Sequence, residues 1–472
     1  MSNVIFIFRR DLRTKDNIGF IKAVEYCIKH SCSLIPVFIF NPVQIDKNIN
    51  TYFSQHSANF MIDCLSTLES ELKGSLRFYE ADTPDVLPTA RAIFYNKDYT
   101  PYAIKRDEQL DAFCKKHDIE VFSYEDYTLF NMNIIMTDQG NPYSVYTPFY
   151  NKCIENIASI PKPRSVSFEK VLAPHKVNET DVQLDDMKAK YYEFDKDKIT
   201  VPVAGRKAAL KRINRLSKFD YAETRDNPSI DGTTKLSPYM KYGCISVREV
   251  LFDAIKKYDL KHQLVKELLW REFYAQLTFH NPHVLLGQIS NQKNKAFQKK
   301  YIDKVVWLVT SEQDDWLQRW KDGRTGFPFV DAGMRQLKAT GWLHNRLRMV
   351  TGMFLTKDMM MDWRIGEQYF AQSLVDYDVI SNNSGWLWVS SMGADAAPYF
   401  RIFNPWTQSK RFDPDCVYIR QWIPELNTVS DRDIHEWFKH YDDVKYKDVQ
   451  YDKPMLDHNT SVKKIKELFA AI

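Results

Sequence analysis

The sequence predicts an α/β domain with a doubly wound parallel sheet over residues 1–130, a connector over 131–200 and an all-α domain over 201–472. In the first part, short apolar runs alternate with segments of helical periodicity, which is the pattern of a parallel sheet covered by helices. In the last part the periodicity is helical almost throughout. Composition separates the two domains as well, because all 11 tryptophans lie between Trp270 and Trp437.

Five strand-like and three helix-like segments make up the predicted α/β domain. The apolar runs predict strands at Val4–Phe8, Leu34–Phe40, Leu76–Tyr79, Ala92–Phe94 and Val121–Ser123. The periodic segments predict helices at Ile18–Lys29, Ala58–Leu72 and Glu108–Lys116. Such sheets often bind nucleotides at the switch point, but the turn Arg9–Arg13 is basic and has no glycine fingerprint. A dehydrogenase is therefore disfavoured, and a purely structural domain fits the pattern about equally well.

Turn signals mark residues 131–200 as a connector that lies on the surface. Asn141-Pro142 and Pro161-Lys162-Pro163 interrupt regular structure there. The formal net charge is −4 before residue 201 and +8 from there on. The basic second part permits an anionic partner without requiring one.

Several classes of protein are disfavoured by the cysteines and by the apolar runs. The 7 cysteines are odd in number and form no CxxC, so neither a disulfide framework nor a metal site is expected. Buried thiols without a disulfide pattern fit a reducing compartment. No apolar run is long enough for a membrane span, and no basic segment precedes an apolar stretch at the N-terminus. These features predict a soluble intracellular protein of the cytoplasm or nucleus, with no membrane partner.

The first of four candidate functional segments is Gly232–Tyr239. Ser237 suits an N-cap and Pro238 suits the first helical position. The glycine and the two threonines before them offer N–H groups and hydroxyls at a helix N-terminus, which binds phosphate well. Taken alone, however, an ordinary capped helix is the better interpretation.

The second segment is a helix whose two faces differ in chemistry. Its core face is predicted to contain Val265, Leu268, Leu269 and Phe273. The other face carries residues at i, i+3, i+4 and i+7, namely Glu267, Trp270, Arg271 and Tyr274. An aromatic ring beside a guanidinium stacks on bases and binds phosphate, while a salt-bridged surface helix is the competing interpretation.

The third and fourth segments are Trp342–Met349 and Asp376–Trp388. In the third, Asn345, Arg348 and Met349 share a face apart from the apolar stripe, and a lone histidine such as His344 is more often structural than catalytic. The fourth is dense in Asp and Asn and ends in two tryptophans. This density favours a planar polar ligand over a simple capped loop.

These four segments, in this order, resemble the DNA photolyase/cryptochrome family, and the resemblance extends over nearly the whole chain. It also includes Phe8–Arg13, Gly323–Pro328, Asp331–Leu337 and Ala397–Pro405. The resemblance implies an α/β antenna domain, a long connector and a helical domain that holds FAD in a bent shape. Beside the flavin, a pocket would receive a damaged dinucleotide flipped out of the DNA duplex.

Three features are most similar to the class I enzymes that repair cyclobutane pyrimidine dimers (CPDs). Asn382 stands where the family places a residue against flavin N5, and the repair enzymes have Asn there. His344-Asn345 and Leu269-Trp270-Arg271 also resemble that class. The implied reaction is light-driven, with an electron passing from photoexcited FADH⁻ to the dimer and returning after the ring has split. A (6-4) photolyase and a blue-light-sensing cryptochrome without repair activity are the alternatives.

The resemblance also implies which residues hold the flavin. The phosphates and the ribityl chain would be contacted by Tyr221, Thr233, Thr234, Leu236 and Ser237. The isoalloxazine would be surrounded by Trp342, Asn345, Arg348, Asp376, Asp378 and Asn382. Arg348 and Asp376 are expected to form an ion pair, and a fixed cation beside the ring favours the anionic reduced flavin.

A further set of residues is implied for DNA and for electron transfer. Glu267 would hydrogen-bond the dimer bases, with Trp270 and Trp388 as apolar walls and Met349 lining the same pocket. The DNA phosphates would be contacted by Arg225, Arg271, Arg346 and Arg401. A tryptophan chain that reduces oxidised flavin would run through Trp386, Trp363 and Trp307, with Trp316 as the alternative outer member.

The chain departs from the family pattern at the antenna chromophore. Ala103 stands where folate-binding members have an acidic residue, so a deazaflavin, a differently held folate or no antenna all remain open. Lys235 replaces the commoner Arg of the flavin loop, and Leu264 stands where some members have Trp. A monomer that acts on UV-damaged DNA without an obligate protein partner is expected.

Overall fold

The computed structural model describes residues 2–82, 84–174, 181–193, 202–286, 297, 301, 304–307 and 312–472. Within these ranges, five parallel strands form one sheet of order β3-β2-β1-β4-β5. The strands are β1 (Asn3–Phe8), β2 (Ser33–Phe40), β3 (Arg77–Glu80), β4 (Ala92–Asn96) and β5 (Glu120–Tyr124). The predicted strands are all present, and the order reverses between β1 and β4, as in a doubly wound sheet.

Helices pack against this sheet and continue into the connector. They are α1 (Ile18–His30), α2 (Pro42–Ile45), α3 (Gln55–Glu71), α4 (Pro101–Lys116), α5 (Tyr146–Asn156) and α6 (Leu184–Tyr191). The three predicted helices are confirmed, although α4 begins at Pro101 rather than Glu108 because Thr100 caps it. The last two helices, α5 and α6, lie within residues 131–200, the predicted connector, where the turn signals did not reveal them.

The central strand β1 is buried on both faces, because alternate side chains enter two different cores. Phe6 and Phe8 pack against Phe20 of α1, with ring centroids 5.5 and 5.6 Å apart. Ile5, which points to the opposite face, belongs to a second apolar cluster that includes Leu110 of α4. A continuous apolar strand of this kind is therefore explained by helices on both sides of the sheet.

The rest of the described chain forms the helical domain. Its first helices are α7 (Arg206–Asn214), α8 (Tyr221–Thr224), α9 (Ser237–Lys241), α10 (Val247–Lys257), α11 (Gln263–His280), α12 (Gln313–Asp322) and α13 (Pro328–Thr340). They are followed by α14 (Asn345–Met353), α15 (Trp363–Ser373), α16 (Val379–Val389) and α17 (Pro405–Phe412). The last are α18 (Val417–Trp422), α19 (Asp431–His435), α20 (Trp437–His440) and α21 (His458–Ala470).

Buried charges join the two domains at the carboxyl edge of the sheet. Asp126, which follows β5, accepts hydrogen bonds from Arg13 at 2.5 Å and from Arg248 of α10 at 2.7 Å. Arg248 also donates to Asp16 at 2.9 Å, and all four side chains are buried. Removing one member of such a network leaves an unpaired buried charge, which costs about 3–5 kcal/mol. The network therefore holds the sheet edge firmly against α10.

Candidate active site

The loop before α9 contacts Trp342 at one side of the candidate site. Lys235 Nζ lies 5.2 Å from the centre of the Trp342 ring and pairs with Asp231 at 2.8 Å. Thr233 is half-buried in the same loop, and Tyr221 is buried at the start of α8. This loop therefore lies against Trp342 through Lys235.

The predicted N-cap of this loop is wrong by one residue. Helix α9 begins at Ser237, with Leu236 as the residue before it, so Ser237 and Pro238 occupy the first two helical positions. The Leu236 amide donates instead to Thr234 Oγ1 at 3.3 Å. The Ser237 hydroxyl is consequently not committed to capping and is half-exposed at the loop.

The ion pair predicted between Arg348 and Asp376 is present. Arg348 Nη2 donates to both carboxylate oxygens of Asp376, at 3.0 and 2.7 Å, and its Nε donates to the Leu343 carbonyl at 2.9 Å. Because Leu343 follows Trp342, these bonds connect the pair to the wall formed by the loop. Asn345 is exposed at the start of α14, one turn before Arg348.

Asn382 is held by Glu367, a residue that the sequence analysis missed. Asn382 Nδ2 donates to the Glu367 carbonyl oxygen at 3.0 Å and to its Oε1 at 3.1 Å. Burial raises the pKa of Glu367 to about 7, although the bonds from Asn382 and Tyr52 oppose that rise. The sequence does contain a signal for Glu367, because this residue shares the apolar face of α15 with Trp363 and Phe370. Burying a carboxylate on such a face without a hydrogen-bond partner is energetically unfavourable.

Asp378 has partners that differ from the predicted contact with the isoalloxazine. Its carboxylate forms an ion pair with Arg10 of the α/β domain and accepts a 3.1 Å bond from the Tyr127 hydroxyl. Burial would raise the pKa of Asp378, but the charges of Arg10 and Lys241 outweigh it and hold that pKa well below its usual range. The side chain therefore fastens the start of α16, four residues before Asn382, to the other domain.

Glu267, which is predicted to bind the lesion, lies on α11. Its carboxylate is paired with Arg225 and accepts a 2.6 Å hydrogen bond from Gln263 Nε2, yet it remains half-exposed. The predicted two-faced helix is confirmed, because Leu268 and Leu269 are buried whereas the face of Glu267 is not. This geometry presents a fixed, charged acceptor to a ligand.

The three apolar residues predicted to line that pocket are all half-buried. Trp270 of α11, Met349 of α14 and Trp388 of α16 pack on the main core with part of their surface open. Helix α11 packs against α16, and α14 packs against α16 as well. The three residues therefore lie on helices that contact α16 or belong to it, an arrangement that is compatible with one common pocket.

The four arginines predicted for DNA phosphates have different surroundings. Arg271 donates to the Tyr127 carbonyl at 2.9 Å and stacks on its ring, and Arg346 pairs with Asp226 at 3.0 Å. Together with Arg225, which pairs with Glu267, these guanidinium groups already have partners within the protein. Arg401 is exposed on the loop between α16 and α17.

Tryptophans cluster beneath the site. Trp386 meets the fully buried Trp320 edge to face, with ring centroids 6.4 Å apart. Trp363 begins α15 and is buried, and its Nε1 has no hydrogen-bond partner among the described residues. Trp307 and Trp316 are both half-buried, so exposure does not distinguish the two candidates for the outer member.

A cavity of about 900 Å³ lies at the carboxyl ends of β1 to β4 and extends to the helical domain. Arg9, Tyr102 and Arg106 line its sheet side, and Trp363 and Glu367 line its helical side. The Tyr102 hydroxyl and Arg106 Nη2 are buried with no partner in the described part of the chain. This crevice is where doubly wound sheets bind ligands.

Comparison with known proteins decides the family. Residues 264–471 match the model described as the FAD binding domain of DNA photolyase, and residues 4–166 match the model described as DNA photolyase. A deoxyribodipyrimidine photo-lyase from Alkalihalophilus pseudofirmus is 37% identical over 98% of this chain and 96% of its own length. The chain belongs to the DNA photolyase family.

Solved structures of photolyase-family members share the whole fold. An archaeal photolyase from Sulfolobus tokodaii, described as having two FAD molecules and as implying a novel light-harvesting cofactor, covers 100% of both chains with a TM-score of 0.84 and 32% identity. A cryptochrome from Synechocystis sp. PCC6803 covers 99% of both chains with a TM-score of 0.83 and 25% identity. The predicted fold class, an α/β domain followed by a helical domain, is confirmed.

The residues of this photolyase-family site fit FAD. Gly385 follows Asn382 by one turn on α16, and a Cβ built on it would meet no atom within 4 Å. That space allows a flat ring to approach the helix backbone next to Asn382. Since the amide hydrogens of Asn382 are directed at Glu367, its Oδ1 remains as an acceptor, and Arg348 adds a cation. The donor and acceptor set therefore suits a flavin ring.

Neither a metal site nor a membrane helix is found in the ranges that the structure describes. Within them, no group of three or more His, Cys, Asp or Glu side chains is placed to hold a metal ion. None of the described helices combines the length and the apolar character that crossing a bilayer requires.

Proposed function

We propose that this chain repairs CPDs in DNA in a light-dependent reaction. The observation that carries the proposal is the arrangement of two acceptors on packed helices: Asn382, oriented by Glu367, on α16 and the half-exposed Glu267 on α11. Reduced FAD, when bound and excited by light, supplies the electron that splits the dimer and receives it back. The protein's own residues hold, orient and enclose the two reactants.

Asn382 favours the reduced form of the flavin through the orientation of its amide. Asn382 Nδ2 donates to Glu367 through both bonds, which leaves Oδ1 free to accept from the ligand. A reduced flavin carries a hydrogen on N5, which needs an acceptor, whereas the oxidised ring needs a donor there. Arg348, held in place by Asp376, adds a fixed positive charge that favours an anionic ring.

Glu267 binds the bases of the dimer. Arg225 and Gln263 hold the carboxylate in one position, and its exposed part is available to a base N–H in the pocket. Trp270, Trp388 and Met349 supply the apolar surfaces against which the two fused rings pack, since base stacking on an aromatic side chain contributes about 1–3 kcal/mol.

The flanking DNA phosphates are contacted by the arginines around the pocket. Arg401 is exposed and is the strongest candidate, while Arg225, Arg271 and Arg346 contribute positive charge from positions that their internal partners fix. We further propose that the protein acts on UV-damaged DNA as a monomer inside the cell, which size-exclusion chromatography with light scattering and localisation of a tagged copy would test.

Trp386, Trp363 and Trp307 form the route that returns electrons to an oxidised flavin. The buried positions of Trp386 and Trp363 support the first two steps, and Trp316 is the alternative outer member. Replacing Trp307 or Trp316 by Phe and measuring flavin photoreduction under blue light distinguishes the two. Replacement of the outer member of the route lowers the yield of reduced flavin, whereas replacement of the other residue leaves it unchanged.

The cavity at the sheet edge is the place for an antenna chromophore. Tyr102 and Arg106 offer buried polar atoms there, and Ala103 is buried and carries no acid for a folate. We favour a flavin or deazaflavin ring, which a 900 Å³ cavity accommodates. An absorption spectrum and mass spectrometry of the chromophores released from purified protein test this choice.

Repair is tested by illuminating purified protein, with its flavin reduced, in the presence of an oligonucleotide that contains one CPD. Recovery of unmodified pyrimidines in the light and not in the dark supports the proposal. Failure to recover them with a reduced flavin overturns it. Repair of a (6-4) photoproduct instead would establish that alternative, and inactivity on both lesions would favour the light-sensing alternative, which the likeness to a cryptochrome supports.

A further inference from the structure

The connector helix α5 reaches the predicted lesion pocket through a single ring. Tyr146, the first residue of α5, stacks on Trp270 with ring centroids 3.7 Å apart and an interplanar angle of 7°. Tyr146 is 9% exposed, whereas Trp270 is half-exposed. One face of the Trp270 indole is thus covered by Tyr146, while part of the side chain remains exposed.

Two hydrogen bonds at other atoms fix the position of Tyr146. Its hydroxyl donates to the Lys266 carbonyl at 2.8 Å, one residue before Glu267. Its backbone N–H donates to Asp395 Oδ2 at 3.2 Å. Asp395 lies on the loop that leads from Trp388 to Arg401, so the connector holds α11 and this loop together.

We propose that Tyr146 is a positioning residue of the lesion pocket, which sets the plane of Trp270 and links that wall to the loop carrying Arg401. The inference rests on the proposed function, because it takes Trp270 as a wall of the pocket. A half-exposed indole on a helix surface has several rotamers to choose from, and ordering it on binding weakens affinity. A ring already stacked on Tyr146 has lost that freedom before the DNA arrives.

The expected effect follows from the strength of an aromatic pair. Such a pair contributes about 0.5–1.5 kcal/mol beyond its buried area, which corresponds to roughly a 2- to 12-fold change in Kd at 1.4 kcal/mol per tenfold. Tyr146→Leu should therefore raise the Kd for a CPD-containing single strand by about that factor. Tyr146→Phe keeps the ring, loses only the bond to Lys266, and should bind within about twofold of wild type.

The experiment measures the Kd of FAD-loaded protein for the same oligonucleotide with and without a CPD. Tyr146→Leu, Tyr146→Phe and Trp270→Leu are compared with Tyr150→Leu, a matched control. Tyr150 lies one turn later on α5, is half-buried, and has its hydroxyl 3.5 Å from the Leu260 carbonyl. Tyr146→Met replaces Tyr146→Leu if the latter does not fold, because methionine fills irregular spaces.

The inference is supported if Tyr146→Leu and Trp270→Leu weaken binding to the CPD strand more than binding to the undamaged strand, while Tyr150→Leu binds both strands as the wild type does. Tyr146→Leu and Trp270→Leu should also be non-additive in the double variant. If Trp270→Leu weakens lesion binding but Tyr146→Leu behaves like Tyr150→Leu, the role of Tyr146 is overturned and the pocket stands. If Trp270→Leu has no effect, the pocket assignment itself fails and the role of Tyr146 fails with it.

Discussion

The buried Lys357 provides a quantitative test of how the site helix α16 is anchored. Lys357 lies in the π-helical segment Phe354–Asp358 and is fully buried. Its Nζ donates to the Ser390 carbonyl at 3.1 Å and to Ser391 Oγ at 2.9 Å, and lies 4.1 Å from the centre of the Phe469 ring. These bonds cap the C-terminus of α16, two and three residues after Trp388. We expect Lys357→Met to change how stability depends on pH.

The magnitude follows from the pKa of Lys357, which burial lowers from 10.5 to about 7. At 1.36 kcal/mol for each pKa unit, this difference destabilises the folded state by about 5 kcal/mol at low pH. The unfolded chain binds the proton more tightly, so the penalty is complete below the folded pKa and diminishes as the pH rises towards 10.5. Between about pH 7 and pH 9 the free energy of unfolding therefore rises by roughly 2 kcal/mol because of Lys357.

The assay is urea unfolding of FAD-loaded wild type and Lys357→Met at several pH values between about 7 and 9. The other titrating groups, including the neighbouring Asp358, remain in both proteins, so their contribution cancels in the difference. The wild type should gain about 1 kcal/mol per pH unit relative to the variant. Absolute stability is a weaker readout, because the variant also loses two hydrogen bonds of about 1–3 kcal/mol each. Equal pH slopes for the two proteins would refute the reasoning.

Three further outcomes test the site. Glu267→Ala should lower the repair yield by about tenfold or more while FAD stays bound, because a charged hydrogen bond of about 1.5–3 kcal/mol is lost; full repair would remove Glu267 from the mechanism. Arg401→Ala should weaken binding of damaged and undamaged DNA alike and reduce the salt slope by about 1 in a titration of affinity against salt; an unchanged slope would mean that Arg401 contacts no phosphate. Flavin photoreduction should change with pH near 7, where Glu367 titrates, and Glu367→Gln should remove that dependence while still accepting from Asn382; persistence of the dependence would assign it to another group.

The fold was predictable because its signals are local. Each strand of the sheet is an apolar run between turn residues, and the predicted and observed strands overlap in every case, as Val4–Phe8 and the observed Asn3–Phe8 illustrate. The predicted connector was harder, because α5 begins at Tyr146 and the residue before it, Val145, makes no side-chain cap bond. Its stabilisation comes from packing on α11, which no local pattern records.

Candidate site residues stand out in the sequence where their chemistry repeats along one helix face, and less so where it depends on distant partners. Glu267 and Trp270 stand out because of their spacing on α11. Glu367 did not, because its partner Asn382 is brought to it only by the packing of α15 against α16. The commitment of Asp378 to Arg10 likewise depends on contact between residues 368 positions apart.

The basic turn after β1 has a structural purpose that its sequence alone left open. Arg10 pairs with Asp378 and Asp98 and stacks on Tyr127, so the turn that lacks a nucleotide fingerprint fastens the sheet edge to the start of α16. Removing this guanidinium would leave the buried Asp378 carboxylate without its ion-pair partner. The loss of such a partner destabilises a folded protein by about 3–5 kcal/mol. Asp378 caps the helix that positions Asn382. The α/β domain therefore supports the proposed flavin site mechanically, and its removal would disturb Asn382.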